Sequence, residues 1–213
     1  MCIQFFFSFR ARLFNWIFLS LLLYVRVDAQ TDFTAVSQAF YASYEYEYAQ
    51  NYDEAINVLE KVYSDKQYEI HLRLGWLYYL KGDMQKSIAF YKRAIMIQPK
   101  SAEAKLGMAY PLASLSNWDE LALLYKNILK DDSRNYTALY RLSLIYYYKK
   151  KYSDALSAIQ LLLPLYPFDY DCNLLAGKIF IGLGKITDAK KYIQRAVLYN
   201  PTATEPAMLL QSL

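Results

Sequence analysis

The sequence predicts an all-α fold built from about five consecutive helix pairs, and a repeat is the main reason. The segments LRLGWLYYLKGDMQKSIAFYKRAIMIQP at 72–99 and NLLAGKIFIGLGKITDAKKYIQRAVLYNP at 173–201 can be superposed. Each has a Gly in its first half, a second Gly in a tight turn, and a final Pro. Equivalent positions after the turns are Ala55, Ser87, Leu121, Ala155 and Ala189, at intervals of 32, 34, 34 and 34 residues. Such a period indicates helix pairs that bury their apolar faces against their neighbours.

The repeat resembles the tetratricopeptide repeat family, whose motif is W-x2-L-G-x2-Y, then A-x3-F, then P. The second unit matches with His71, Leu74, Gly75, Tyr78, Ser87, Tyr91, Ala94 and Pro99. The fifth matches with Gly177, Phe180, Ala189, Ile193, Ala196 and Pro201, and the fourth with Leu142, Ser143, Tyr146, Ala155, Ile159 and Pro167. The first unit is looser. The third departs most, because the bulky Leu121 stands where a small residue belongs and Ser133 replaces Pro.

The resemblance implies an all-α, right-handed superhelical solenoid of about five repeats, with ten helices plus a short C-terminal helix. The array is predicted over 30–201, with units at about 33–67, 68–101, 102–135, 136–169 and 170–201. A capping helix fragment is predicted over 202–213. Its apolar residues either pack on the last unit or meet another molecule.

Local signals support the order of these elements. Small residues let the two helices of a unit approach, and the aromatic residue three positions after the first small one fills the space beside the contact. Asp83 and Thr187 are predicted to cap second helices. Pro111 lies inside the first helix of the third unit and removes one helical hydrogen bond, so we expect a kink and a weak point there.

Residues 1–29 have the pattern of an export signal. Arg10 and Arg12 precede the apolar run 13–25, and Val27-Asp28-Ala29 offers a cleavage site before Gln30. Thirteen residues rise about 20 Å as a helix, less than the roughly 30 Å hydrocarbon core of a bilayer. We therefore predict an exported protein, periplasmic or secreted, and the tyrosine- and lysine-rich composition together with this signal suggests a bacterium. An uncleaved membrane anchor is the alternative.

The charge argues against nucleic acid as a partner. The formal charge is +4, and removal of Arg10, Arg12, Arg26 and Asp28 with the signal leaves about +2. This is too little for a broad field that attracts a polyanion. The stretch YYYKKKY at 146–152 mixes rings with cations, but the three lysines fall in the turn between two helices.

After signal cleavage no integral membrane span is expected.

The residues of common catalytic and metal sites are scarce. His71 is the single histidine, and Cys172 is the single cysteine once Cys2 leaves with the signal. His71 falls in an aromatic slot of the motif and Cys172 is expected to be a buried small residue. GLGKIT at 182–187 lacks the Ser or Thr that a phosphate-binding loop needs at Ile186. The sequence predicts no enzyme, no cofactor and no metal.

In the tetratricopeptide family, residues one step past the buried positions of each first helix line the concave face. The resemblance therefore implies a partner-binding groove of Tyr41, Tyr44, Tyr48, Arg73, Trp76, Tyr79, Tyr110, Tyr140, Arg141, Tyr147 and Tyr148. Tyrosine combines a large contact area with a hydroxyl and few rotatable bonds, which suits recognition. For any single member, packing between adjacent first helices is the alternative.

These observations favour a non-catalytic protein–protein interaction scaffold of the cell envelope or secreted space. It would bind an extended peptide or a helix of another protein in the aromatic concave groove. A glycan- or cell-wall-binding module using the same tyrosine-rich face is the alternative. Phe40 and Tyr44 stand at two positions of the family's carboxylate clamp, so that clamp is not expected. The C-terminal end is a candidate surface for homo-oligomers.

Overall fold

The computed structural model describes residues 33–213, which form eleven α-helices and no strand. The helices are α1 (33–48), α2 (Tyr52–Glu60), α3 (Tyr68–Lys81), α4 (Met84–Ile97), α5 (Ala102–Ser114), α6 (Trp118–Asp131), α7 (Tyr136–Tyr148), α8 (Tyr152–Ile159), α9 (Tyr170–Gly182), α10 (Ile186–Tyr199) and α11 (Thr204–Ser212). The predicted export signal at 1–29 lies outside the described residues. No helix within 33–213 combines the length and the apolar character needed to cross a bilayer.

The helices stack in chain order. From α2 onward each packs against the next, and the first helices of neighbouring pairs also meet, α3 with α5 and α7 with α9. Buried apolar clusters follow one another along the stack. At the C-terminal end Leu209, Leu210 and Leu213 pack against Phe180 and Ile193. The predicted all-α solenoid of helix pairs is confirmed.

The small motif residues lie at the closest contacts within the pairs. Ala55, Ser87, Ala155 and Ala189 are completely buried. The Ser87 hydroxyl donates to the Gly75 carbonyl at 2.7 Å, and the Ser143 hydroxyl donates to the Ala155 carbonyl at 2.8 Å. Serine therefore fits these positions without leaving an unpaired buried polar group.

The turn inside each pair uses one left-handed residue. These residues are Gln50, Gly82, Ser116, Lys150 and Gly184, with φ of 60°, 89°, 55°, 57° and 72°. They follow the spacing of the repeat, and only two are glycine, which adopts this conformation without steric cost. Gly184, in the GLGKIT segment, is thus a turn residue between two helices.

Side chains cap several helices, although not every predicted cap is correct. Asp83 accepts a hydrogen bond from the Lys86 amide at 3.1 Å, as expected for the start of α4. Thr187 is not a cap, because α10 begins at Ile186 and Lys185 precedes it. Alignment of the turn glycines places Lys185, rather than Thr187, opposite Asp83, so this prediction was wrong.

The proline in α5 does not end the helix. α5 runs through Pro111 to Ser114, and the Pro111 side chain is buried. The Leu115 amide donates to the Pro111 carbonyl at 3.1 Å, so the helical pattern resumes directly after the missing donor. In contrast, α8 is only 8 residues long and ends five residues before Pro164.

Candidate functional site

An open cavity of about 810 Å³ lies between α5 and α7. Its lining residues come from α3, α5, α6, α7 and the start of the following turn: Tyr79, Leu106, Ala109, Tyr110, Ala113, Ser114, Trp118, Leu121, Tyr125, Thr137, Arg141, Leu144, Ile145, Tyr148 and Lys149. Four of these belong to the predicted groove, namely Tyr79, Tyr110, Arg141 and Tyr148. The volume falls within the range of small-molecule and side-chain binding pockets.

A small residue of α5, Ala113, explains part of the opening at the third repeat. Ala113 occupies the repeat position that holds Tyr79 in the second unit and Tyr147 in the fourth. Gly107 occupies the position that holds Arg73 and Arg141 in those units. A Cβ atom on Gly107 would lie 2.3 Å from the Tyr91 ring, so the space that a side chain would enter at this position is occupied by Tyr91 of α4. Of these two positions only Ala113 lines the cavity, and its short side chain leaves space that a tyrosine would fill.

Arg73 belongs to the predicted groove, but the structure buries it, with 6% of the residue exposed. Its Nη1 forms an ion pair with Oε2 of Glu47, and its Nε donates to the Ser43 hydroxyl at 3.1 Å. Its guanidinium carbon lies 3.8 Å from the centroid of the Tyr44 ring. Three groups of α1 thus contact Arg73 and leave little of it exposed, whereas the prediction placed it in an open groove.

Arg141 has different surroundings although it holds the same repeat position. It is exposed, and it lies at the cavity with its guanidinium carbon 6.0 Å from the centroid of the Tyr140 ring. Within residues 33–213 it forms no ion pair. Its charge acts to lower the pKa of the cavity residue Tyr125, but burial outweighs it and that pKa is raised. Arg141 is thus a cation at the mouth of an apolar cavity.

Three aromatic rings form a cluster beside the cavity. Trp76 lies 5.5 Å from Tyr79 and 5.8 Å from Tyr110, and the two tyrosine rings are 5.5 Å apart, measured between centroids. The Trp76 indole N–H donates to Oε1 of Glu47 at 2.8 Å, so the carboxylate that pairs with Arg73 also orients this ring. Such tilted and edge contacts hold aromatic side chains in place.

Exposed tyrosines continue along α1. Tyr41, Tyr44 and Tyr48 are 69%, 56% and 94% exposed. The Tyr44 ring carries Arg73 on one face. The other two project from the first repeat, which has no preceding repeat within the described residues. These three rings are available for contact, although the cavity does not include them.

The tyrosines of α7 divide between packing and exposure. Tyr140 and Tyr147 are half-buried and pack against the cluster of Leu139, Ala155 and Ile159. Burial raises the pKa of Tyr140 to about 12, so this hydroxyl stays protonated near neutral pH. Tyr148 is 74% exposed and lines the cavity. Of the adjacent pair, Tyr148 rather than Tyr147 therefore faces the open space.

Sequence reasoning missed part of the cavity. Trp118, 45% exposed at the start of α6, and Lys149 both line it, yet neither is among the predicted groove residues. Lys149 lines the cavity and pairs with Asp119 of α6. A comparison of equivalent residues between repeats could have pointed to the site, since Ala113 stands where the neighbouring repeats carry Tyr79 and Tyr147.

The titratable groups expected to be structural are buried. The Nε2 atom of His71 lies 3.1 Å from the Asp65 carbonyl, and its ring meets the Tyr63 ring edge-on. Burial raises the pKa of the Cys172 thiol to about 12, which keeps it protonated and a poor nucleophile. Within 33–213 no group of three or more His, Cys, Asp or Glu side chains is placed to hold a metal ion.

The fold defines the class of this protein, a solenoid of consecutive helix pairs. The chain belongs to the tetratricopeptide repeat family: two family profiles, both described as Tetratricopeptide repeat, match residues 42–103 and 106–170 in the first case and 170–202 in the second. Repeats of this family form scaffolds for protein–protein interaction, and the fold of this chain is of that kind.

Two curated relatives share part of this sequence. The human protein O-mannosyl-transferase TMTC1 is 30% identical over 118 residues, which are 55% of this chain and 13% of that protein. The bovine BBSome complex member BBS4 is 22% identical over 202 residues, covering 78% of this chain and 38% of that protein. The chain thus spans well under half the length of both.

Solved structures share the fold. A crystal structure of MamA protein superposes with a TM-score of 0.69 at 18% identity, covering 80% of this chain and 94% of that one. A tetratricopeptide repeat protein from Parabacteroides merdae superposes with a TM-score of 0.73 at 15% identity, covering 84% of this chain and 72% of that one. At these identities the likeness concerns the fold alone.

Proposed function

We propose that the protein is an exported, non-catalytic scaffold that binds another polypeptide on its aromatic inner face. The single observation that carries this proposal is the cavity between α5 and α7, in which exposed aromatic rings surround an apolar floor and one unpaired cation. An extended peptide or a helix fits such a surface, because large rings supply contact area while a few polar groups fix the register. One relative is a member of a protein complex, the BBSome, which agrees with this proposal.

Two aromatic residues at the cavity leave much of their surface exposed. Tyr110 is 52% exposed and Tyr148 is 74% exposed, although both stand on helices whose opposite sides are buried. Contiguous exposed apolar surface on a folded protein commonly marks an interaction site. Tyrosine and arginine are also the residue types that dominate binding energy at interfaces.

The proposed location, the bacterial envelope or the secreted space, rests on the sequence pattern at 1–29. Intact-mass measurement of the protein isolated from its native host tests it. A chain that begins at Gln30 supports export with cleavage. A chain that retains residues 1–29 contradicts a cleaved signal.

A glycan is the second candidate ligand, favoured by the exposed rings of α1. Tyr41 and Tyr48 are 69% and 94% exposed and have no partner ring among the described residues. Sugar rings stack on such aromatic faces. A soluble glycan array and cell-wall fragments, probed with the same protein preparation, separate this candidate from polypeptide binding.

A selection from a random-peptide display library tests the proposed function. We expect peptides to be enriched and to lose affinity in Tyr79→Ala and Tyr148→Ala, by about thirtyfold if either residue is a hot spot of about 2 kcal/mol. Tyr199→Ala is the matched control, because Tyr199 is 53% exposed on α10, away from the cavity. Enrichment of no peptide, or equal losses in all three variants, would contradict peptide binding on the inner face.

A further inference from the structure

One arginine of the repeat, Arg73, binds a carboxylate within the protein itself. Arg73 of α3 receives the carboxylate of Glu47, which stands on the preceding first helix, α1. The Ser43 hydroxyl and the Tyr44 ring, also on α1, complete this site. One acid, one hydroxyl and one ring thus contact the guanidinium inside the molecule, while its buried Nη2 has no hydrogen-bond partner within the described residues.

The equivalent arginine site two repeats further on lacks two of these groups. Arg141 corresponds to Arg73, and the preceding first helix is then α5. On α5 the ring is retained as Tyr110, but Ala109 replaces the hydroxyl and Ala113 replaces Glu47. Both of these alanines line the cavity together with Arg141. The position from which a carboxylate reaches the arginine is therefore empty space.

Other charges near the cavity do not supply the missing carboxylate. The lining residues include two cations, Arg141 and Lys149, and no acid. Asp119, on α6, pairs with Lys149, and no ion pair within the described chain involves Arg141. The surface next to the apolar floor thus has an excess of positive charge, which an acidic ligand complements.

We propose that Arg141 binds a carboxylate side chain of the partner polypeptide, in the place that Glu47 takes at Arg73, while an adjacent apolar side chain of the partner enters the cavity. The floor of Leu106, Leu121 and Leu144 suits an aromatic or aliphatic group. The ligand class is therefore a polypeptide segment in which an apolar residue neighbours Asp or Glu. This inference rests on the proposed function and names the partner chemistry of the same surface.

The experiment uses peptides enriched by the display selection, each synthesised with its acidic residue and with the corresponding amide. On the wild-type protein the acidic form should bind about tenfold more tightly, because a hydrogen-bonded charge pair is lost in the amide. On Arg141→Gln the two forms should bind within about twofold of each other. Arg134→Gln, which removes an exposed arginine outside the cavity, should keep the tenfold preference.

A second pair of variants places an acid, or a neutral side chain of the same size, on α5 beside Arg141. Ala113→Glu restores the arrangement of Glu47 and Arg73, so it should weaken the acidic peptides about tenfold, while Ala113→Gln provides the neutral side chain of the same size. Ser114→Trp, at an exposed residue of the cavity wall, should weaken both peptide forms equally by filling the cavity. If one variant fails to fold, the others still decide.

The outcomes separate this inference from the function on which it rests. Peptides that bind the inner face with no preference for the acid, or that keep the preference in Arg141→Gln, would overturn the inference and leave the scaffold function intact. Failure of every peptide to bind would overturn both. Loss of the acid preference in Arg141→Gln and Ala113→Glu, but not in Arg134→Gln or Ala113→Gln, would support it.

Discussion

Arg73 and Arg141 occupy one position of the repeat, yet Arg73 is buried in an ion pair, whereas Arg141 is exposed and forms no ion pair within residues 33–213. The cause of this difference is not the arginine but the preceding first helix, which carries Glu47 in α1 and Ala113 in α5. In a repeat protein, a residue can thus change from a structural to a recognition role through a change one helix away.

The same contrast extends to the space around the two arginines. Between α1 and α3 the side chains of Ser43, Tyr44 and Glu47 fill the contact around Arg73. Between α5 and α7, where Ala113 takes the place of Glu47, lies a cavity of about 810 Å³. The cavity thus lies at the repeat that is least regular in sequence.

The largest expected effect concerns the tyrosines of the two regions. Tyr78 is 6% exposed, stacks on Phe90 with ring centroids 5.3 Å apart, and donates to Glu60 at 3.0 Å. Tyr78→Ala should lower the free energy of unfolding by about 3–5 kcal/mol. Tyr148→Ala, at the cavity, should change it by less than about 0.5 kcal/mol. Urea unfolding measures both, and equal losses would show that the cavity tyrosine is part of the core.

Breaking the internal ion pair should have the next largest effect. Glu47→Ala leaves Arg73 buried without its carboxylate and should lower the free energy of unfolding by about 3 kcal/mol. Glu45→Ala, at an exposed acid of the same helix, and Arg141→Gln should each stay within about 0.5 kcal/mol of wild type. If Arg141→Gln is as costly as Glu47→Ala, Arg141 has a structural partner and the contrast fails.

The third repeat should open before its neighbours. Pro111 lacks an amide donor, and the cavity removes contacts between α5 and α7. Native-state hydrogen exchange should show the amides of α5 and α6 exchanging roughly tenfold faster than those of α3 and α4. Uniform protection across the repeats would show that the cavity has no effect on local stability.

The smallest effect concerns the turns. Lys150 has φ of 57°, whereas Gly82, at the same position of the second repeat, has φ of 89°. Lys150→Gly should raise the free energy of unfolding by up to about 1 kcal/mol. The substitution removes the cost of about 1–2 kcal/mol that a residue with a Cβ has in the left-handed conformation. Part of this gain is offset, because glycine loses more backbone entropy on folding. Gly82→Ala should have the opposite sign. Denaturant unfolding checks both predictions, because the midpoint should shift while the slope of the free energy against denaturant concentration stays unchanged.

The sequence was sufficient for the fold because the repeat period, the small contact positions and the turn glycines all describe local geometry. It was less informative for the site, because burial of Arg73 depends on Glu47, which lies 26 residues earlier and meets it only after the helices stack. The Thr187 cap was misassigned because the turn glycine, rather than the helix pattern, sets the register of the cap. The cavity forms where a side chain is small, and a search for motifs, aromatic residues or reactive groups does not detect small side chains.

Site-specific photocrosslinking in the native host tests the central claim, that the inner face binds a polypeptide, most directly. A benzophenone amino acid would replace Thr137, an exposed residue of the cavity wall, or Leu198, which is 70% exposed on α10. We predict a crosslinked protein from position 137 that disappears when an acidic display-selected peptide is added in excess, and no such product from position 198. Crosslinks from position 198 alone, or products at 137 that the peptide does not displace, would contradict the account.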